Sequence, residues 1–188
     1  MPASTNRERR HQRILKLLRE NPLLTDDALA KALGVSLSTI RLDRALLGIP
    51  ELRERMRRMA EEATSRLRSL RYEEVVGELL ELQPNQWALS VLQTTGDMAF
   101  RHSDLVADHH IYAQAASLAI AVIEADYVIT ASAHIRYKIP AHVGDMLVAR
   151  AKVGTHKQNK YIVSVRTKVE GKEIFVGRFI VVALESFP

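Results

Sequence analysis

The chain has 188 residues, no cysteine and a formal net charge of +5 at pH 7. The lack of cysteine excludes disulfide bonds, thiol nucleophiles and cysteine-ligated zinc or iron–sulfur sites, and it favours a reducing cytoplasm. No apolar run reaches the ~20 residues that cross a bilayer, so we expect a soluble cytoplasmic protein without a membrane partner.

Charge is divided unevenly along the chain. Residues 1–68 carry fifteen Lys and Arg against nine Asp and Glu, whereas residues 69–188 carry twelve against thirteen. This asymmetry predicts a basic N-terminal module that faces a polyanion and a nearly neutral second module. A solvated basic surface without a polyanionic partner is the alternative.

Three short helices are predicted within residues 1–49. The first covers residues 7–20 and ends before an Asn-Pro pair, because proline disfavours a helical conformation in the preceding residue. A threonine and two aspartates begin the second helix, which ends at Gly34, a residue that tolerates the left-handed conformation. Ser36 caps a third helix over residues 37–47. Two short helices joined by a glycine turn, after a supporting helix, are typical of a helix-turn-helix.

The third helix is the expected recognition helix. If Ile40 and Leu47 face the core, the side chains of Ser38, Thr39, Arg41 and Arg44 project toward solvent. Arginine pairs bidentately with guanine, and hydroxyl groups contact phosphates or base edges in the major groove. A double-stranded DNA operator is therefore the expected partner, and a three-helix bundle with solvated arginines is the alternative. The expected DNA-binding residues are Ser36, Ser38, Thr39, Arg41, Arg44, Arg53 and Arg57.

Residues 50–68 are predicted to form an amphipathic linker helix. Pro50 suits the first turn of a helix, and apolar side chains recur after it at helical spacing, so their stripe requires a partner. Arg53 and Arg57 lie on this helix, where they can reach DNA phosphates or pair with nearby glutamates.

Residues 69–188 are predicted to form a second domain of strands around one helix. Alternating and apolar segments predict a hairpin first and four strands later. Between them, residues 109–123 form a helix that is apolar on nearly every face and is expected to be buried on all sides. One buried helix wrapped by an antiparallel sheet is the hot-dog arrangement, and the fold class is therefore α+β. The predicted strands are 75–82, 87–94, 127–137, 146–156, 160–170 and 172–184.

Segments in both predicted domains together match a known family pattern: Gly34 to Arg44, Ile49 to Arg55, His109 to Ala115, Ser117 to Ala119, Thr130 to Arg136 and Gly177 to Phe179. These segments resemble the FapR family, regulators of fatty-acid and phospholipid biosynthesis in Gram-positive bacteria. They cover both domains and nearly the whole chain. The resemblance implies a helix-turn-helix of the winged-helix or DeoR-like type and a hot-dog domain that forms a homodimer. It also implies a transcriptional repressor that has no cofactor and is released from DNA by malonyl-CoA or a related acyl-CoA effector.

The chain departs from this family beside its His-His pair. The family has Arg-Gly at the positions of Ala107 and Asp108, and Asn at Ala116, and its arginine holds the malonyl carboxylate. Asp108 would repel such a carboxylate, so we expect weaker malonyl-CoA binding or another acyl-CoA effector, with Arg101 as a replacement charge. The effector-binding residues that the resemblance implies are Phe100, Arg101, Ala107, Asp108, His109, His110, Gln114 and Ala116.

Two other function classes fit the second domain. Hot-dog folds also host thioesterases, and Asp108 is the one carboxylate suitably placed to activate water. A fused DNA-binding module favours sensing over turnover, so no catalytic residue is assigned. A ligand-free dimeric DNA-binding protein is the other alternative. No metal site is expected, because the adjacent His109 and His110 point about 100° apart on a helix.

Overall fold

The computed structural model describes residues 6–184. The chain divides into two compact units, Met1–Arg58 and Met59–Pro188. Within residues 6–184, none of the helices combines the length and the apolar character that a bilayer span requires.

The first unit is built from helices, and they follow the predicted order. Thr25 begins α2 by accepting a hydrogen bond from the amide of Ala28, and Gly34 ends it with a φ of 65°. The helix-turn-helix predicted from these capping residues is therefore confirmed. Residues 6–77 contain no strand, so the described part of this unit has no β-wing. The helices are α1 Asn6–Glu20, α2 Asp26–Leu33, α3 Leu37–Leu46 and α4 Leu52–Thr64, of which α4 belongs to the second unit from Met59 onward.

A small apolar core holds the first three helices together. Ile14 of α1, Leu29 of α2 and Ile40 of α3 are fully buried against one another. These are the apolar positions that helical spacing assigns to the inner face of each helix. The core fixes the orientation of α3 and therefore decides which of its side chains face outward.

The second unit is one antiparallel sheet with a single long helix, α5, which covers Asp108–Ala121. The six strands are ordered β1-β2-β4-β5-β6-β3, and every neighbouring pair is antiparallel. The first two strands form the predicted hairpin. The strands are β1 Glu78–Gln83, β2 Trp87–Gln93, β3 Tyr127–Tyr137, β4 Met146–Lys157, β5 Lys160–Val169 and β6 Lys172–Leu184.

Helix α5 packs on the inner face of this sheet, as the hot-dog prediction requires. Ala115, Leu118 and Ala119 are fully buried in a core that includes Phe175 and Phe179 of β6. The expectation that α5 is buried on all sides is wrong for the single chain. One stripe of the helix is only half-buried; its residues are Tyr112, Ala113, Ala116 and Ile120.

Two element boundaries, the start of β1 and the end of α4, differ from the sequence prediction by three residues or more. The first strand begins at Glu78 rather than at Val75, because Gly77 adopts a φ of 85° that interrupts extended backbone. Val75 is nevertheless buried, so its apolar character reflects the core and not strand pairing. Helix α4 ends at Thr64, whose hydroxyl donates to the carbonyl of Ala60 one turn earlier.

Candidate nucleic-acid interface and effector site

The hydroxyl of Ser36 organises the start of α3. Its Oγ accepts a hydrogen bond from the amide of Thr39 at 3.2 Å and lies 2.9 Å from Ser38 Oγ and 2.8 Å from Thr39 Oγ1. Ser36 is therefore the N-cap that was predicted, and the three hydroxyl groups form one cluster. This cluster sits at the positive end of the helix dipole, where an anion is favoured.

The outward face of α3 carries one exposed cation. The Arg41 side chain is 65% exposed, and its nearest carboxylate is 3.9 Å away on Asp26. Ser38 and Ala45 are exposed on the same face. An exposed guanidinium near the start of a recognition helix has the donors and the reach to contact phosphate or guanine.

The expectation that Arg44 projects toward solvent is wrong. Its side chain is 6% exposed and donates to both oxygens of Asp26, at 2.6 and 2.9 Å. A third bond of 3.0 Å reaches the carbonyl of Ile49. Arg44 lies four residues after the buried Ile40, so the same helical face carries both inward. Its guanidinium links α3 to the first turn of α2 and is not presented to a ligand.

Asp43, on the same buried side of α3 as Arg44, links the helix to α1. It is 2% exposed and accepts hydrogen bonds from Arg10 Nε at 2.5 Å and from His11 Nε2 at 2.9 Å. The hydrogen bond from Arg10 is the main reason that the pKa of Asp43 lies below its ordinary value. Asp43 and Arg44 therefore fix α3 to two different helices.

The start of α4 is held by main-chain carbonyls. Arg55 donates to the carbonyl oxygens of Pro22, Leu24 and Pro50 at 3.1, 2.7 and 2.7 Å. Such bonds satisfy carbonyl groups that no helix uses. Arg55 is consequently a structural residue of the first unit.

The other arginines of α4 lie on the surface, and some of them form ion pairs with a glutamate. Arg57 and Arg58 both donate to Glu54, and these bonds lower the pKa of Glu54 to about 2. The Arg57 side chain keeps 58% of its surface exposed, and Arg53 is also exposed. Arg57 is thus an ion-paired surface residue, and its contact with DNA phosphate stays a prediction.

The residues expected to bind an effector lie at several places around the amino end of α5. Phe100 and Arg101 lie on an exposed turn that is closed by a bond from the Phe100 amide to the Leu105 carbonyl at 2.9 Å. The amide of Ala107 donates to the carbonyl of Met98 at 2.8 Å, which holds this turn beside the helix. The turn and the helix start therefore form one surface.

Ala107 and Asp108 form the helix start itself. Ala107 is 5% exposed and occupies the N-cap position, with no side-chain oxygen to cap the free amides that follow. Asp108 is the first helical residue, and it is exposed. The helix therefore begins with an uncapped amino end beside a solvent-facing carboxylate.

The two histidines lie side by side at this end. Their ring centroids are 4.1 Å apart, His109 is exposed and His110 is half-buried. Burial, followed by the neighbouring His109, lowers the pKa of His110, so its neutral form is favoured. Across residues 6–184, no group of three His, Cys, Asp or Glu side chains is arranged to hold a metal ion.

Four aromatic rings line the sheet beside the amino half of α5. Tyr112 lies 6.1 Å from Phe179, and Tyr137 lies 5.2 Å from Phe175, between ring centroids. Tyr137 also donates to the carbonyl of Asp108 at 3.1 Å. Gly177 lies between the two phenylalanines, and a Cβ there would be 2.5 Å from the Phe179 ring. We call these four rings the aromatic cluster; none of them was predicted as a site residue.

Gln114 and Ala116 point away from each other. Gln114 is fully buried, and its Nε2 donates to Ser90 Oγ at 3.2 Å and to the carbonyl of Leu147 at 3.3 Å. Its Oε1 has no hydrogen-bond partner. Ala116 lies on the half-buried stripe of α5. Both residues are close to the helix start in the sequence, but their side chains face different sides of α5 and do not form one site.

The comparisons with known proteins cover both units. Residues 7–41 match the family model described as winged helix-turn-helix DNA-binding. The chain is 47% identical over 176 residues to "Transcription factor FapR" of Thermoanaerobacter sp. (strain X514), which spans 93% of this chain and 88% of that relative. The chain belongs to the FapR family. The FapR protein of Caldanaerobacter subterraneus subsp. tengcongensis is 44% identical over 186 residues, or 99% of this chain and 93% of its own length.

FapR membership agrees with the two folds. The crystal structure of Cj0977, a sigma28-regulated virulence protein from Campylobacter jejuni, matches 69% of this chain and 92% of its own length with a TM-score of 0.63 at 24% identity. This likeness shows the hot-dog fold alone. With the helix-turn-helix, FapR membership makes the chain a DNA-binding transcriptional regulator.

Proposed function

We propose that the chain is a homodimeric cytoplasmic repressor of fatty-acid and phospholipid biosynthesis genes. An acyl-CoA, either malonyl-CoA or a related thioester, releases this repressor from its operator. The observation that carries the proposal is the likeness to FapR proteins across both units at 44–47% identity. An effector releases DNA only if it binds the DNA-free state more tightly than the DNA-bound state.

Exposed apolar surface on the second unit supports dimerisation. β3 is an edge strand of the sheet, and Tyr127 and Ile129 on it are 41% and 44% exposed. The half-buried stripe of α5 supplies a second apolar surface. A second copy paired along β3 would extend the sheet and satisfy the unpaired edge.

The amino end of α5 supports an effector site. Uncapped amides, the aromatic cluster and the exposed Arg101 together offer groups for a thioester carbonyl, an acyl chain and a carboxylate. Ala107 supplies no charge there, so we assign recognition of an acyl carboxylate to Arg101. The carboxylate of Asp108 would repel the carboxylate of a bound acyl group, and this repulsion favours acyl groups that lack a carboxylate.

DNA binding through α3 is tested by replacing Arg41. Arg41→Ala is expected to weaken binding to a selected duplex about 10-fold or more. It is also expected to reduce the slope of log K against log salt concentration by about the amount that one phosphate contact contributes. Fluorescence anisotropy across a range of salt concentrations measures both quantities. Lys31→Ala, on α2, is the control and is expected to change neither. Unchanged affinity and salt slope in Arg41→Ala would contradict the assignment.

Effector binding is tested by thermal unfolding with acetyl-CoA, malonyl-CoA and longer acyl-CoAs. A ligand at about 100 times its Kd stabilises the folded state by about 2.7 kcal/mol, which raises Tm by roughly 5–10 °C. Arg101→Ala is expected to remove any preference for malonyl-CoA over acetyl-CoA, while the control Arg178→Ala keeps it. The same ligand is expected to release the selected duplex.

Two outcomes would favour the alternatives. A flat Tm with every acyl-CoA would favour a ligand-free dimeric DNA-binding protein. Release of free CoA, abolished by Asp108→Ala, would favour a thioesterase, because Asp108 is the exposed carboxylate at the start of α5.

A further inference from the structure

Helix α3 has an unusual distribution of charged and apolar side chains. Its buried side includes Asp43 and Arg44, which are 2% and 5% exposed. Its outward side includes Leu42 and Leu46, which are 62% and 54% exposed. The usual amphipathic pattern places leucines inside and charges outside. We therefore expect the outward leucines of α3 to contact a binding partner.

The four outward positions at the centre of α3 form a defined surface. At about 100° per residue, Ser38 and Ala45 lie along its middle, with Arg41 on one side and Leu42 on the other. The two central side chains are small, so another surface can approach the helix backbone closely. The cation on one edge and the hydroxyl cluster at the helix start favour a polyanionic partner on this same surface.

We propose that Leu42 determines operator specificity by van der Waals contact with the 5-methyl group of thymine in the major groove. This inference rests on the proposed function, since it requires α3 to bind duplex DNA. Thymine is the base that presents a methyl group in the major groove, and apolar side chains recognise it by contact. Arg41 binds phosphate or guanine beside it, and the small Ser38 and Ala45 allow the helix to enter the groove.

Uracil substitution tests the contact, because deoxyuridine lacks only the methyl group of thymidine. The full chain first selects duplexes from a randomised pool, and each thymine of the selected duplex is then replaced singly by deoxyuridine. At one or two positions per half-site, affinity is expected to fall about fourfold, the effect of one buried methyl group. Anisotropy at fixed salt concentration measures the change.

Matched variants identify the side chain. Leu42→Ala is expected to weaken binding to the thymine duplex and to bind the thymine and uracil duplexes equally. Leu46, one turn later, is also more than half exposed, and Leu46→Ala is expected to retain the fourfold preference for thymine. Circular dichroism confirms that both variants keep their helices, and Leu42→Met provides a variant of similar volume that is expected to retain the preference.

The outcomes separate this inference from the proposed function. If the chain selects a duplex but tolerates every uracil, or if Leu42→Ala keeps the thymine preference, the role of Leu42 is overturned and DNA binding stands. If no duplex is selected at any salt concentration, the proposed function itself fails. If Leu42→Ala dissociates a dimer without changing thymine preference, the leucine packs against protein and the inference is also overturned.

Discussion

Replacing Arg44 by alanine is expected to lower the free energy of unfolding of the N-terminal unit by about 3 kcal/mol, the cost of breaking a buried ion pair. The change leaves Asp26 without its two guanidinium bonds of 2.6 and 2.9 Å and leaves the carbonyl of Ile49 without a donor. Removing one partner costs more than the pair contributes, because the partly desolvated Asp26 loses both of its hydrogen bonds and keeps only the more distant Arg41 guanidinium at 3.9 Å.

Two spectroscopic signals distinguish destabilisation of the first unit by Arg44→Ala from destabilisation of the whole chain. Trp87 of β2 is the one tryptophan in the chain, so its fluorescence follows the second unit, whereas far-UV circular dichroism also follows α1 to α3. Urea unfolding is expected to show an earlier dichroism transition and an unchanged fluorescence midpoint. Arg41→Ala removes a charge from the same helix, but its side chain is 65% exposed and its stability is expected to stay within 0.5 kcal/mol, roughly the range of surface changes. Equal stability of the two variants would contradict the structural role of Arg44.

Replacing Gly177 by alanine is expected to destabilise the second unit by about 1–3 kcal/mol, the usual cost of overpacking a core. The new Cβ would lie 2.5 Å from Cε2 of Phe179 and 3.1 Å from Cε1 of Phe175. Both rings are fully buried, so neither can move away without displacing its neighbours. The displaced rings belong to the aromatic cluster, so the response of Tm to acyl-CoA is expected to fall as well.

Gly154→Ala is the control for Gly177→Ala. Gly154 is also a strand glycine, but a Cβ there would lie 3.4 Å from the carbonyl oxygen of Ile162 and would meet no ring. Its Trp87 unfolding midpoint and its acyl-CoA response are expected to match those of the unchanged chain. A Gly177→Ala variant as stable as Gly154→Ala would show that the sheet accommodates the methyl group.

Most of the fold was predictable because its signals are local. Capping by Thr25 and Ser36, together with the left-handed Gly34, marks the ends of α2 and α3 within one or two residues. Alternation gives β3 and β6 their observed ends. The start of β1 was misplaced because burial of Val75 resembles strand pairing in a sequence, whereas the conformation of Gly77 decides where pairing begins.

The sites were less predictable, because side-chain partners come from distant parts of the chain. Helical spacing was sufficient to place Arg44 with Ile40 on the inner face, but Asp26, its partner, lies 18 residues away and resembled a simple helix-start charge. The aromatic cluster unites residues of α5, β3 and β6 that no local pattern connects. Gln114 was predicted to bind an effector, but the side of α5 that it faces depends on where the sheet packs, and its amide donates to Ser90 and Leu147.

Adjacent residues of α3 have separate tasks, and this separation bears on how related regulators diverge. Positions 43 and 44 hold the helix in place through buried hydrogen-bonded ion pairs, while positions 38, 41, 42 and 45 face outward. Substitutions at the outward positions can therefore accumulate at little cost to folding. A lineage could acquire new target promoters by altering four codons and leave the remainder of the gene unchanged.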